Sequence, residues 1–454
     1  MSVDRRSRLT TRLGRPERPA LWRGAVVVLT TILGGCGPGV ESSGAEGSGS
    51  SAGDGASGAV ETSGTEVDGS ACGDGIAVPG VLCWIEVPLT WPEELSFNIL
   101  RPFDDGRVLI AGQNGSNVAI LDTMANGPIV GPVVSTTSAE FDHTIRWGLP
   151  LQLDADPAVE VVTSDYDEFV LYETTSATLS VTAMGSSFPG GPADGYMFVA
   201  IDVDRDGIDE IVRANRGPLA VWRLDPAGTW AQVSDSLPQP PCHALNLAVA
   251  DFDGDARDDL VVLGNHGYGQ HPSNGEEFCP NYEEAFDDMY ILLNRYEEQG
   301  MAAPFELVLG PEITLPTVPQ LPAAPTLVPS DYNGDGMTDL FIDRGGDFQG
   351  ELPLFIRGLG DGTFASPLEL QLPMHRAVAG DFDGDGSVEI IADASRAVGP
   401  DGLWIWGGSG VEWLPVAVES VPGTIIGPMV ASDMNRDGVS DLLLAGGYLL
   451  ISNP

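Results

Sequence analysis

An acidic nine-residue pattern returns along this chain at a nearly constant interval, and that periodicity limits the fold more than any other feature. It reads DVDRDGIDE from Asp202, DFDGDARDD from Asp251, DYNGDGMTD from Asp331, DFDGDGSVE from Asp381 and DMNRDGVSD from Asp433. An acid or Asn occupies positions one, three and five, an acid occupies position nine, and an apolar run follows. The starts lie 49, 80, 50 and 52 residues apart. A fixed interval of this size marks a repeat architecture, one supersecondary unit stacked many times. One interval back from Asp202, LDADPAVEVVT reads as a shortened version starting at Asp154, with Glu160 two positions early. A further step reaches FDDGRVLIAG, with Asp104 and Asp105. Seven units result, five with complete loops and two degenerate.

Each unit has the same grammar. An apolar run such as MFVAI precedes the loop; a β-branched or leucine-rich run, a Gly-containing turn and one or two alternating runs such as LAVWRL or LWIWGG follow it. These are short strands separated by turn signals, without a sustained helical period. About four strands in roughly 50 residues, repeated radially, predict an all-β fold, a seven-bladed β-propeller over residues 71–454. From Asp433 to the end only 22 residues remain, too few for four strands. The apolar VLCWIEVPL before the first unit is therefore expected to supply the missing outermost strand and close the ring. The interval of 80 residues marks an insertion at 265–288, read as an extended loop on one face.

Calcium explains the crowding of carboxylates. It is a hard cation taking six to eight oxygen ligands, and alternate residues of a tight loop can face one ion. In the second complete loop Asp251, Asp253 and Asp255 would supply carboxylates, Arg257 a backbone carbonyl and Asp259 the closing carboxylate. The same offsets select Asp202, Asp204, Asp206 and Glu210; Asp331, Asn333, Asp335 and Asp339; Asp381, Asp383, Asp385 and Glu389; and Asp433, Asn435, Asp437 and Asp441. Gly207, Gly336, Gly386 and Gly438 stand at position six, where so sharp a turn favours positive φ, and Ala256 breaks that rule.

The loops share their first half with the EF-hand loop but lack its twelfth-position Glu and its helices. They are instead similar to the FG-GAP or VCBS repeats, whose blades resemble those of the integrin alpha-subunit propeller, over roughly residues 100–454. That resemblance implies a calcium ion between the first two strands of each intact blade, hence about five sites. Little or no metal is expected at Asp154, Asp156 and Glu160, or at Asp104 and Asp105.

Composition bounds the partners. With 66 acidic against 21 basic residues, all of the latter Arg, the formal charge is −45. Nucleic acid is excluded as a partner, since its recognition needs a basic footprint. Such a charge makes the folded state repel itself unless cations are bound.

Residues 1–35 read as an export signal: an Arg-rich stretch, then an apolar run from Ala25 to Leu33, far shorter than a membrane span. Leu33, Gly34, Gly35 and Cys36 resemble the lipobox of bacterial lipoproteins, which implies a lipid anchor on Cys36. Gly37 lacks the Asp that retains many such proteins in the inner membrane, so the outer membrane or cell surface is the expected location. Residues 36–70 are rich in Gly, Ser and Glu and read as a disordered acidic tether. The other four cysteines suggest two disulfides, with Cys72 to Cys83 and Cys242 to Cys279 favoured among three possible pairings.

No catalytic motif of the G-x-S-x-G, H-E-x-x-H or phosphate-loop type occurs. His266 and His271 share the insertion with Glu276 and Glu277, while His143 and His243 read as packed or surface residues. Trp222, Trp404 and Trp406 fall on strand-like runs and read as core rather than as a sugar platform. The expected function is therefore non-enzymatic: a monomeric, surface-tethered, calcium-stabilised adhesion module for an extracellular glycan or protein. The rival is a polysaccharide lyase or hydrolase built on a propeller, for which Glu283, Glu284, Asp287 and Asp288 are the unassigned acids.

Overall fold

The structure, a computed structural model, describes residues 83–452 apart from 96–98, 113–116, 124–128, 136–144, 165–168, 176–177, 186–196, 215–218, 235–236, 239–242, 266–286, 314–325, 344–351, 371–373, 395–402, 408–413, 417–427 and a few single positions. The signal, the tether, Cys36, Cys72, Cys242, Cys279, His143 and nearly all of the insertion, with His266, His271, Glu276, Glu277, Glu283 and Glu284, lie outside the described residues.

The short apolar runs form strands, and among the described residues these make seven antiparallel sheets. Six sheets are built from consecutive strands. The seventh is composite: Met429–Ser432, Asp441–Leu444 and Tyr448–Ser452 come from the end of the chain, and Trp84–Val87 pairs on the outside. The pairing runs antiparallel from Trp84 opposite Ser452 to Val87 opposite Leu449, which is the strand exchange that the short last unit requires.

The innermost strands, Ile99–Pro102, Trp147–Leu151, Met197–Ile201, His243–Ala250, Thr326–Ser330, Met374–Gly380 and Met429–Ser432, each touch the next, and the last touches the first. The result is a closed β-propeller.

The core lies between the sheets rather than inside any one of them. Each of seven apolar clusters is shared by two neighbouring sheets. One joins Leu100, Val108, Ile110 and Leu121 of the first sheet to Val430, Met434, Leu443 and Leu449 of the last. Inner strands are therefore covered on both faces, which is why they read as unbroken apolar runs such as VLIA and DLLL rather than as alternating ones. Each buried Val, Leu or Ile contributes about 1.5–3 kcal/mol.

Gly106 carries a turn that only glycine fits at this spot. Its φ is +85°, and a Cβ there would lie 2.2 Å from the carbonyl oxygen of Asp433 in the last sheet. Gly106→Ala should cost about 2–4 kcal/mol, adding left-handed strain to an overpacked contact. A urea unfolding midpoint within error of the parent would show that this hairpin does not seat against the Asp433 loop.

Candidate metal centres

Each acidic loop joins the innermost strand of a sheet to its second strand, and the registers coincide. The last residue of the first strand pairs with the ninth-position acid: Ile201 with Glu210, Ala250 with Asp259, Ser330 with Asp339, Gly380 with Glu389 and Ser432 with Asp441. Leu151 pairs with Glu160 in the same way. That places Gln152, not Asp154, at position one of this loop, and Glu160 in register at position nine. Three carboxylates, from Asp154, Asp156 and Glu160, come within 4.8 Å of one another there. The displaced start arose because position one holds an amide instead of an acid. The Asp104 hairpin is different: Pro102 pairs with Val108, leaving room for only a tight turn in which Arg107 donates to Asp105.

Within the complete loops one hydrogen-bond scheme recurs. The position-one carboxylate accepts from the position-six N–H, position three from position five, and position five from position seven. In the Asp331 loop these bonds are Gly336 N to Asp331 Oδ2 at 2.8 Å, Asp335 N to Asn333 Oδ1 at 2.8 Å and Met337 N to Asp335 Oδ1 at 3.0 Å. The loops at Asp202, Asp251, Asp381 and Asp433 repeat them. The scheme requires a left-handed residue at position six, and Ala256 adopts it at φ 64° despite its Cβ. Position four is left-handed as well, even where it is Arg205 or Arg436.

The consequence is convergence. Asp202, Asp204 and Asp206 bring one oxygen each within 4.8 Å of the others, as do Asp251, Asp253 and Asp255, and Asp381, Asp383 and Asp385. In the Asp331 and Asp433 loops, Asn333 and Asn435 put an amide at position three.

The ninth-position acids have a second task. One oxygen of each accepts the position-two N–H, as in Phe252 to Asp259 at 2.9 Å and Met434 to Asp441 at 2.8 Å. In Asp259, Asp339 and Asp441 the other oxygen accepts from the backbone of Asn294, Gly358 and Ser452. These three acids are struts between the loop and the outer strands. Burial pushes them up, Asp259 to about 8, Asp339 to about 7 and Asp441 to about 8, with neighbouring loop carboxylates adding to the shift. Burial likewise raises Glu389 to about 9, and Glu210 to about 7 against the pull of Arg223.

The donor set suits a hard divalent cation: all-oxygen, several carboxylates, on a braced turn. Asp381 Oδ1 is shut off from solvent without a hydrogen-bond partner in the protein, an arrangement a cation would satisfy.

Neighbouring loops are also stitched together. Asp209 N donates to Gln152 O at 2.7 Å, Ser440 N to Asp381 O at 2.7 Å, and Arg436 Nε to Asp105 O at 2.6 Å.

Of the other predicted residues, Cys83 is buried and disulfide-bonded. Trp222 is half-buried on Ala220–Leu224, and Trp404 and Trp406 lie on Leu403–Gly407. His243 begins the strand His243–Ala250. Asp287 and Asp288 lie on Asp287–Asn294, paired with Ile313 and Glu312. Among the described residues no helix is long and apolar enough to cross a membrane.

Fold and loops together define a β-propeller assembled from repeated acidic-loop units. The family of FG-GAP-like repeats matches residues 202–262 and 326–392, and the chain carries such repeats. No curated protein matches the chain. Among solved structures it is similar to an Agrocybe aegerita lectin that recognises non-reducing terminal N-acetylglucosamine, at 16% identity and TM-score 0.49, covering 78% of this chain and 86% of that one. It is also similar to virginiamycin B lyase from Staphylococcus aureus, at 11% identity and TM-score 0.44, covering 82% and 99%.

Proposed function

We propose that this chain is a calcium-stabilised binding module, held at the cell envelope by a lipid on Cys36 and presenting its ring to an extracellular glycan or protein. The observation that supports it is the repeated acidic loop. The same turn recurs five times beside the innermost strands of a closed ring, and in three of these loops it brings three carboxylate oxygens within 4.8 Å of one another. The oxygen donors available to calcium are those of Asp202, Asp204 and Asp206, Asp251, Asp253 and Asp255, Asp331, Asn333 and Asp335, Asp381, Asp383 and Asp385, and Asp433, Asn435 and Asp437. When bound, calcium offsets carboxylate repulsion and braces the loops; the ring then serves as a rigid platform for recognition. An acidic tether of some 35 residues would give that platform reach, since a flexible chain of that length spans roughly 30–35 Å.

The test is a glycan and matrix-protein array probed with residues 70–454 in calcium and in EGTA. A hit that EGTA abolishes is the expected result. Silence in both conditions overturns the binding reading and directs attention to polysaccharide turnover.

A further inference from the structure

Three loops already contain a nitrogen donor at the place a cation would take. Arg223, on the third strand of the Asp202 sheet, sends Nε to Glu210 Oε1 at 2.6 Å, Nη2 to Asp204 Oδ2 at 3.2 Å and Nη1 to Asp206 Oδ2 at 3.4 Å, with Nη2 also on Glu210 Oε1. One guanidinium thus spans positions three, five and nine. In the next loop Arg295 Nη1 stands 2.6 Å from Asp253 Oδ2 and 3.6 Å from Asp255 Oδ2, and Arg257 donates to Asp255 Oδ2 through Nε and Nη2. In the loop before them Gln152 Nε2 donates to the backbone carbonyls of Asp154, Asp156 and Ala158 at 2.7, 2.7 and 3.1 Å. Ala158 is position seven, whose carbonyl is a ligand in calcium loops of this type.

The remaining loops are built differently. In the Asp331 and Asp433 loops the hydrogen bonds to the ligand positions come from backbone N–H groups and from the Asn333 and Asn435 amides. In the Asp381 loop the hydrogen bonds to the ligand positions likewise come from backbone N–H groups.

We infer that Gln152, Arg223 and Arg295 are tethered substitutes for calcium, so that only the loops beginning at Asp331, Asp381 and Asp433 take the ion. The inference rests on the calcium reading above. A calcium–oxygen bond is about 2.3–2.6 Å long, so a guanidinium nitrogen 2.6 Å from Asp253 Oδ2 and an ion at the same oxygens exclude one another by volume and by like charge. The three calcium-dependent loops belong to consecutive sheets, and the last of these is the composite sheet holding both ends of the ring. Calcium would therefore act on ring closure, while the first half of the ring stands without it.

The test counts ions on the full chain by equilibrium dialysis and native mass spectrometry, with terbium luminescence as a second readout. Three ions are expected on the parent, four on Arg223→Met, four on the double variant Arg257→Met with Arg295→Met, which clears both guanidinium groups from the Asp251 loop, and three on Arg223→Lys, which keeps the tethered cation. Five or more ions on the parent overturn the division of the loops while leaving the calcium reading intact. No ions at all overturn both. If the methionine variants fold, as judged by circular dichroism, and still hold three, the arginines are not substitutes; if they do not fold, the count on the parent decides.

Discussion

Deleting Val81–Leu89 should lower the melting temperature by on the order of 10 °C or more. The strand Trp84–Val87 supplies the outer edge of the last sheet through four residue pairs with Leu449–Ser452. Trp84 is buried in the cluster that joins this sheet to the preceding one, its ring 5.5 Å from that of Phe382 at 39°. Losing a buried Trp alone costs about 3–5 kcal/mol, and the deletion also exposes an unpaired strand edge. Downstream, Trp91 Nε1 donates to Gly447 O at 2.7 Å, so the segment remains clamped to the final turn after the strand ends. The point variant Trp84→Ala should reproduce much of the loss without removing backbone pairing. A deletion variant that melts with the parent would mean that the ring does not depend on the exchange.

Chelation is the second large effect. EGTA should lower the melting temperature by on the order of 10 °C, and added calcium should restore it, because an ion that binds only the folded state stabilises it by about 2.7 kcal/mol per site at a hundredfold excess over Kd. The effect should be strongest where the loops brace the closure: Asp441 takes Met434 N and Asn435 N on one oxygen and Ser452 N on the other, so the loop, the second strand and the strand that pairs with Trp84 share one carboxylate. The deletion variant should for this reason lose part of its calcium response. Differential scanning calorimetry of parent and deletion, each in calcium and in EGTA, measures both. An EGTA curve superimposed on the calcium curve for the parent would leave the loops as purely hydrogen-bonded turns.

The strand order, the five complete loops and the exchange at the ends were legible because each is local or periodic. A strand buried on both faces is an apolar run, a turn with two left-handed residues selects Gly, and a last unit that stops short asks for a partner strand. The Gln152 loop was misplaced by two positions for an equally plain reason: with no acid at position one, the D-x-D pair of Asp154 and Asp156 mimics a loop start, and only the pairing of Leu151 with Glu160 shows that these are positions three and five.

Sequence alone thus determined the repeat, the all-β class, the oxygen-rich chemistry of the loops and where the ring is joined, because spacing and residue type suffice for these. Tertiary structure decided what faces each loop. Arg223 lies 13 residues beyond Glu210, and Arg295 lies 42 residues beyond Asp253, across the insertion; strand pairing brings them back to the carboxylates. Nothing in the local pattern distinguishes the Asp202 loop, closed by a guanidinium, from the Asp381 loop, served by backbone N–H groups, since the charge that separates them arrives from another strand.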